Sequence, residues 1–298
     1  MKKQLTVLAC AAFGLCATLT SNAHAGGHYV AGVEGLQGAS VPPEGVYYLG
    51  YLVNYDIGSF RAPTTDKDLP GRNTGTVTAL ANRVVWMTGA KVLGADYGVE
   101  TIIPVIHTSL NMPAASVRDS ETALGDIYLG PLVLGWHGDR WDAVGAAGVW
   151  MDNATAKTAA DAGKGYKSWM LTAGGTYYLD AAKNWSASAL GRFERNTKRD
   201  DGLRPGNQVT VEWGVGKRFG VMQAGVVGYS VWQVSRDQGT GSDAKGAVHA
   251  IGGEFNYALP SYKTNLKAAL YHEFSAKAGA LGPQSKGDML RLSLVKAF

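Results

Sequence analysis

Polar and apolar positions alternate with a period of two along most of the chain. From Trp185 to Glu194, Trp185, Ala187, Ala189, Gly191 and Phe193 share one side, and Ser186, Ser188, Arg192 and Glu194 share the other with Leu190. Over 208–219, Val209, Val211, Trp213, Val215 and Phe219 oppose Gln208, Thr210, Glu212, Gly214 and Arg218. Over 263–274, Leu266, Ala268, Leu270 and Phe274 oppose Lys263, Asn265, Lys267 and Glu273. Tyr47, Leu49, Tyr51, Val53 and Tyr55 form a further one-sided stripe. Such alternation is the mark of β-strands with one apolar face. It predicts twelve strands, near 46–56, 76–90, 97–108, 124–136, 141–151, 166–179, 185–195, 207–219, 222–235, 247–258, 263–275 and 287–298.

Alternation alone does not separate a soluble sandwich, apolar face inward, from a membrane barrel, apolar face to lipid. Three features favour the barrel. The segments run to about 11–14 residues, long for globular strands but sufficient to cross a bilayer when tilted. Aromatic residues gather near strand ends, with Tyr177, Tyr178, Trp185, Phe219, Tyr257, Tyr262 and Phe298 towards one end and Trp150, Tyr166, Trp169, Trp232 and Phe274 towards the other. Two such groups read as interfacial girdles. Connections also alternate in length. Those at 57–75, 109–123, 152–165, 196–206, 236–246 and 276–286 are long, and those at 91–96, 137–140, 180–184, 220–221 and 259–262 are short. Long loops on one side and tight turns on the other is the pattern of outer-membrane barrels, with both termini on the periplasmic side. The expected fold is therefore all-β: a transmembrane antiparallel up-and-down β-barrel of about twelve strands, over 46–298.

The chain ends agree. Met1-Lys2-Lys3 precedes an uncharged apolar run from Leu5 to Leu19, and Ala23-His24-Ala25 supplies small residues for cleavage. Residues 1–25 thus read as a secretory signal, too short in its apolar run for a transmembrane helix. Cys10 and Cys16 both lie in it, so the exported chain has neither disulfide nor thiolate chemistry. Losing Lys2 and Lys3 lowers the net charge from +4 to +2, which gives no argument for nucleic acid. At the far end Leu290, Leu292, Leu294 and Phe298 share a face, and a terminal aromatic is the feature by which barrel assembly machinery would receive the chain. Forty glycines and a charged fraction of only 17% fit a barrel wall. Residues 26–45 are too short for a large plug and belong at the periplasmic mouth or in the lumen.

Candidate chemistry is sparse. The exported histidines, His28, His107, His137, His249 and His272, show no metal-ligand spacing, and no GxSxG elbow or phosphate loop is present. No catalytic residue, cofactor or metal is expected. Charges expected on the luminal face are Glu100, Arg192, Glu194, Glu212, Arg218, Glu254, Lys263, Lys267, Glu273 and Arg291. They read either as a salt-bridge network in the wall or as a channel lining. Their mixed signs argue against a strong ion filter. Tyr48 and Tyr271 are candidate luminal aromatic platforms.

Gly125-Asp126-Ile127-Tyr128-Leu129-Gly130-Pro131-Leu132-Val133-Leu134-Gly135-Trp136-His137 resembles the GDxxLGPLxLGWH stretch of outer-membrane channels tied to the meta-pathway of phenol degradation. His28-Tyr29, Pro42-Pro43-Glu44-Gly45, Thr176-Tyr177-Tyr178-Leu179-Asp180, Asn196 and Gly228-Tyr229 with Gln233 extend the resemblance in order along the chain. It implies a monomeric twelve-stranded barrel in the outer membrane, in contact with lipid and lipopolysaccharide, passing small hydrophobic or aromatic molecules by diffusion. The pattern departs at Met151-Asp152-Asn153-Ala154, where a Pro-Thr-Gly-like stretch is expected. Two other readings stay open. One is a lipid-acting barrel enzyme using His107 or His272, and the other is a non-conducting structural or adhesion barrel.

Overall fold

The computed structural model describes residues 26–298, so the signal expected at 1–25 lies outside the described residues. Thirteen strands form one antiparallel sheet: β1 (Gly45–Arg61), β2 (Thr74–Val92), β3 (Ala95–Met112), β4 (Val117–Leu124), β5 (Tyr128–His137), β6 (Trp141–Trp150), β7 (Ser168–Tyr178), β8 (Trp185–Asn196), β9 (Gln208–Phe219), β10 (Met222–Gln233), β11 (Ala247–Leu259), β12 (Thr264–Lys277) and β13 (Gln284–Ala297). Each pairs with its neighbours in sequence, except that β4 and β5 both pair with β3, and β1 pairs with β13 to close the wall. β4 and β5 share one place in the barrel. β4 pairs with Val105–Met112 of β3 and β5 with Asp96–Ile102, so twelve staves enclose the lumen. Closure satisfies main-chain groups between strands, as a bilayer demands.

The exterior is apolar. Leu266 and Leu270 of β12, and Leu290, Leu292 and Leu294 of β13, stand exposed in adjacent rows. Trp86, Trp141, Tyr177, Trp185, Phe219 and Tyr257 are exposed towards the short-turn end, and Trp169, Trp232 and Phe274 towards the long-loop end. These are the two girdles. Trp150, Tyr166 and Tyr178, expected in them, are instead buried inside the barrel. Asn82 is a polar exception on the outer face, flanked by exposed Leu80 and Val84. Its side chain accepts from the Tyr48 hydroxyl at 2.8 Å and donates to the Ile103 carbonyl at 3.1 Å, so both ends of the Asn82 amide have a partner towards lipid. Tyr48 is thus an outer-face residue, not a luminal platform.

Three further expectations are corrected. Residues 109–123 are not a loop. β3 continues to Met112, turns through a short 3₁₀ segment at Pro113–Ala115, and returns as β4. Leu110 and Met112 face inward there and pack with Ile57, Phe60 and Val77, so burial of these side chains extends the strands. The stripe Tyr51, Val53 and Tyr55 of β1 points into the barrel, not to lipid; all three are buried, while Leu52 and Asn54 are exposed. On this strand the outer face is apolar at Val46 and Leu52, and the inner face is apolar as well and continues so through Ile57. Lys263, expected in the lumen, occupies the left-handed position (φ 47°) closing the turn before β12.

The closing seam between β1 and β13 is tight at Gly287, where a β-carbon would lie 1.9 Å from the Asp56 carbonyl oxygen. Gly287→Val is expected to destabilise the barrel by about 1–3 kcal/mol, the usual scale of overpacking. The measurement is the temperature at which the folded gel band is lost on heating; an unchanged midpoint would show the seam to be slack.

Candidate functional site

The lumen is occupied by the chain's own N-terminal segment, residues 26–44. Gly26 sits at the long-loop end, where its carbonyl accepts from the Tyr166 hydroxyl at 3.0 Å. From there the segment runs down the barrel to Gly45, the start of β1. It forms no strand, so its main-chain donors need partners from the wall. Carboxylates supply them. The N–H groups of His28 and Tyr29 donate to Glu194 at 2.8 and 2.9 Å, that of Glu34 to Glu212 at 3.0 Å, and that of Leu36 to Glu254 at 3.2 Å. Gln208 receives Gly27 N–H at 2.6 Å, and Ser188 receives Ala39 N–H at 3.3 Å. Arg291 donates to the Gly32 and Val33 carbonyls at 2.9 and 2.6 Å while pairing with Glu254 at 2.6 Å. The inward parity of β8, β9, β11 and β13 places these side chains along one half of the wall.

One side chain of the segment binds across the lumen. Glu34 Oε1 lies 2.9 Å from Arg83 of β2 and 2.8 Å from Arg192 of β8. Arg83 also pairs with Glu100, and the Arg192 guanidinium stacks over the Tyr29 ring at 4.0 Å. The Tyr29 hydroxyl in turn hydrogen-bonds Glu212.

The other expected luminal charges fall as follows. Glu273 accepts from the Tyr55 and Tyr229 hydroxyls at 2.6 and 2.8 Å. Arg218 reaches Gln37 of the segment at 3.4 Å. Lys267 and Arg218 both line a chamber at the short-turn end. Tyr271 is buried beside Tyr229, with ring centroids 5.4 Å apart. Sequence reasoning missed Glu34, Arg83, His28 and Asp126. Asp126 stands in the strongest motif, and the alternation around Arg83 could have placed it with Val85 on the inner face.

His28 meets three groups. Its Nε2 lies 3.2 Å from Asp126 Oδ2, its Nδ1 lies 2.9 Å from Ser168 Oγ, and Glu194 is 3.8 Å away. Its ring stacks on Trp150 and meets the edge of Tyr166. This has the outline of an Asp–His–Ser triad, but the hydrogen bonds run the wrong way. Asn196 Nδ2 donates to the Gly206 carbonyl, so Asn196 Oδ1 accepts the Ser168 proton at 2.7 Å. His28 Nδ1 must then donate to Ser168, so it offers the serine no lone pair and cannot act as its base. Ser168 is also fully buried. His107 and His272 bond Thr122 and Asp288 on the outer face, at 2.7 and 2.6 Å, away from the lumen.

Asp126 lies in the break between β4 and β5. It accepts the N–H groups of Asn153, Ala154 and Lys164 at 3.1, 3.0 and 2.8 Å, and so fixes the 151–165 loop as well as His28. Met151-Asp152-Asn153-Ala154, where the sequence departs from the expected pattern, is therefore anchored on the motif aspartate.

Three cavities lie in series beside the segment, against β1–β3. The first, about 170 Å³, opens near Gly26 and is lined by Val53, Val77, Ala79 and Ile106. The second, about 100 Å³, shares Val53, Ala79 and Ile106 with it and reaches Ile102, Pro104 and Trp150. The third, about 610 Å³, meets the second at Val33, Glu34, Tyr51 and Arg83 and continues past Pro42 and Pro43. Among the described residues no group of three or more ligand-type side chains could hold a metal ion.

His28 and Asp126 lie outside the strands, and their contact is pH-dependent. Burial alone would lower the His28 pKa, but Asp126 and Glu194 outweigh it and hold it above the usual 6.5. Burial would raise Asp126, but His28 and the loop N–H groups bring it below the usual 3.8. The histidine's stabilisation is full below pH 6.5 and is lost as pH rises through its raised value. The aspartate's is full above pH 3.8 and is lost as pH falls through its lowered value. Hydrogen-exchange protection factors at the Ala154 and Lys164 amides, corrected for the intrinsic pH dependence of exchange, should therefore be highest between these limits. His28→Ala should abolish the loss of protection on the alkaline side and keep that on the acid side; an alkaline loss that persisted would assign it to another group.

A family model described as "Putative MetA-pathway of phenol degradation" matches residues 57–285. A comparison with curated protein sequences returns no match. An outer membrane channel from Pseudomonas putida F1 is similar in structure, with a TM-score of 0.75 at 13% identity over 91% of this chain and 100% of that one. The beta domain of the Bordetella autotransporter BrkA aligns at 0.49 and 13% identity, over 86% of this chain and 100% of that one. The CymD monoaromatic hydrocarbon channel aligns at 0.38 and 10%, over 86% and 89%. The last two are too distant to carry an argument. The barrel, its apolar exterior and its girdles place the protein in the bacterial outer membrane. With the match covering most of its length, the chain belongs to the family of the MetA-pathway of phenol degradation.

Proposed function

We propose that this barrel is a channel for passive diffusion of small hydrophobic, including aromatic, molecules across the outer membrane. One observation carries the reading: the three cavities follow one another along the apolar β1–β3 wall, from the long-loop end to the short-turn end. A general porin holds a polar, water-filled lumen. Here much of the polar lining is consumed in holding the segment, and until the last chamber the remaining path keeps an apolar β1–β3 wall, with polar groups such as His28 and Lys164 facing it. The neighbours in the comparison at higher similarity include a channel, and the family name points to phenol breakdown, which supports the same solute class.

On this reading the protein is not an enzyme and acts without cofactor. The reversed proton order at Ser168 and the outward positions of His107 and His272 support that. Arg192, Glu194, Glu212 and Arg218, with Glu254, Lys267, Glu273 and Arg291, are read as residues that hold the segment and border the path. The protein would act as a monomer in a lipid and lipopolysaccharide leaflet, having entered through the assembly machinery by its exposed Phe298.

Cells expressing the protein in an outer membrane intact in lipopolysaccharide should take up toluene faster than cells lacking it. Ala81→Trp, which fills the second cavity, should return uptake to the level without protein while leaving the folded gel band in place. Equal uptake with and without the protein would sink the channel reading. Reversing the charges of Arg192 and Glu212 should release the segment and raise ion conductance in planar bilayers; unchanged conductance and uptake would remove these residues from the path.

A further inference from the structure

The third cavity holds two cations that no carboxylate pairs with. Inward positions of β9 to β12 meet there in one row: Arg218 beside Gln223, Gln223 beside Asn256, and Asn256 beside Lys267. Arg218 and Lys267 both line the chamber. The Arg218 guanidinium reaches the neutral Gln37 side chain at 3.4 Å, and Lys267 has no hydrogen-bond or ion-pair partner among the described residues. Between them the row is neutral, with Asn256 Nδ2 donating to Gln223 Oε1 at 3.1 Å. The carboxylates that line the same chamber are committed elsewhere. Glu34 and Glu100 hold Arg83, and Glu34 holds Arg192 as well. Asp142 takes His137 at 2.9 Å and the Tyr178 hydroxyl at 2.6 Å, and Asp96 takes Lys91 at 2.5 Å. Arg218 and Lys267 stand three strands apart, roughly 14 Å along the curved wall. A ligand seated over the two amides between them lies within reach of both side chains. Both charges are open to it, since Arg218 is exposed and Lys267 half-buried.

We propose that the short-turn chamber binds a small amphiphilic monocarboxylate, its carboxylate received by Arg218 and Lys267 and its apolar part laid against the opposite wall. In a barrel of twelve staves β9–β12 face β2, β3, β5 and β6. There Val85, Val133, Val144 and Ala146 line the chamber, joined by Leu49 of β1 and Val41 of the segment. The chamber thus has a cationic side and an apolar side. Its volume of about 610 Å³ lies in the range that takes small organic ligands. A guanidinium fork matches a carboxylate with two parallel hydrogen bonds, and an ammonium adds a point charge beside it. Two cations bordered by four paired carboxylates favour one negative charge over the two of a phosphate dianion. A neutral molecule of the same shape would fill the space without engaging either cation. The inference goes beyond the channel reading and does not rest on it, because the chamber is defined apart from the two narrower cavities.

The test uses the folded barrel in a non-ionic detergent at low salt and two probes of one shape, 4-(trifluoromethyl)benzoate and 4-(trifluoromethyl)benzamide, titrated by ¹⁹F NMR. Binding to the site saturates, whereas partition into micelles does not. The benzoate should bind about tenfold more tightly, the scale of one hydrogen bond to a charged group. Arg218→Gln and Lys267→Gln should each weaken the benzoate severalfold and leave the amide as it was. Lys198→Gln, which removes an exposed cation at the long-loop end, should change neither. Acetate at the concentration of the benzoate should not displace it, since acetate has nothing to lay against the apolar wall. The folded gel band is checked for each variant, and if one cation variant fails to fold the other decides. Equal affinities in the natural protein, a benzoate preference unchanged in a folded variant of either cation, an equal loss in Lys198→Gln, or displacement by equimolar acetate would each overturn the proposal.

Discussion

An irregular segment inside a barrel has to find partners for its main-chain groups, and in this protein glutamates provide many of them. Glu194, Glu212 and Glu254 project inward from β8, β9 and β11 and accept N–H groups at His28, Tyr29, Glu34 and Leu36. Each buried carboxylate would be costly alone. Together with Arg192, Arg291 and the segment's own Glu34 and Tyr29, each gains charge-assisted hydrogen bonds that offset desolvation. Removing one member leaves its partners buried and unmatched, so the cluster fixes where the segment lies.

That position decides what remains of the lumen. Twelve strands enclose more space than side chains alone can fill. The segment takes the polar side and leaves a strip against β1, β2 and β3. Those strands turn Val53, Val77, Ala79 and Ile106 inward, so the strip is apolar where it is narrowest. The chain thereby converts a barrel wide enough for water into one whose free path favours molecules that do not compete for water. The same division explains why charges of both signs line the lumen without making a filter: most are spent on one another and on the segment.

The barrel was legible in the sequence because lipid imposes a simple rule on the outer face. The alternation at Trp185–Glu194, 208–219 and 263–274 matches the outward and inward sides of β8, β9 and β12. The same rule failed on β1, where Tyr51, Val53 and Tyr55 are inside; when the path itself is apolar, hydrophobicity no longer tells lipid from lumen. It failed again for Trp150, Tyr166 and Tyr178, which sit at strand ends like girdle residues but pack inward, against His28 or, for Tyr178, Asp142. Residues 109–123 read as a loop because Pro113, Ala114 and Ala115 look like turn composition, and nothing local reveals that Leu110 and Met112 will find Phe60 and Ile57. The site was less legible still. Glu34 and His28 have no pattern of their own and acquire meaning only from partners far along the chain, Arg83 and Arg192 for the one and Asp126 and Ser168 for the other.

The motif Gly125-Asp126 shows how local irregularity serves this arrangement. A continuous fourth stave would pair through residues 125–127 and give Asp126 no more than an ordinary place in a row. The break between β4 and β5 leaves Gly125 bonded to the Pro104 carbonyl, a residue that itself has no N–H to give back. Around that bond the chain turns Asp126 inward, where it receives the 151–165 loop and His28 together. Asn153 ties the same break from the other side, accepting from the Ile127 N–H and donating to the Gly125 carbonyl. An interrupted strand, a loop and the start of the segment are thus held by one carboxylate, and the second cavity lies beside it, between Pro104 and Trp150. The most recognisable stretch of the sequence is therefore recognisable for a physical reason: it is where the wall gives up regular pairing so that the lumen can be organised.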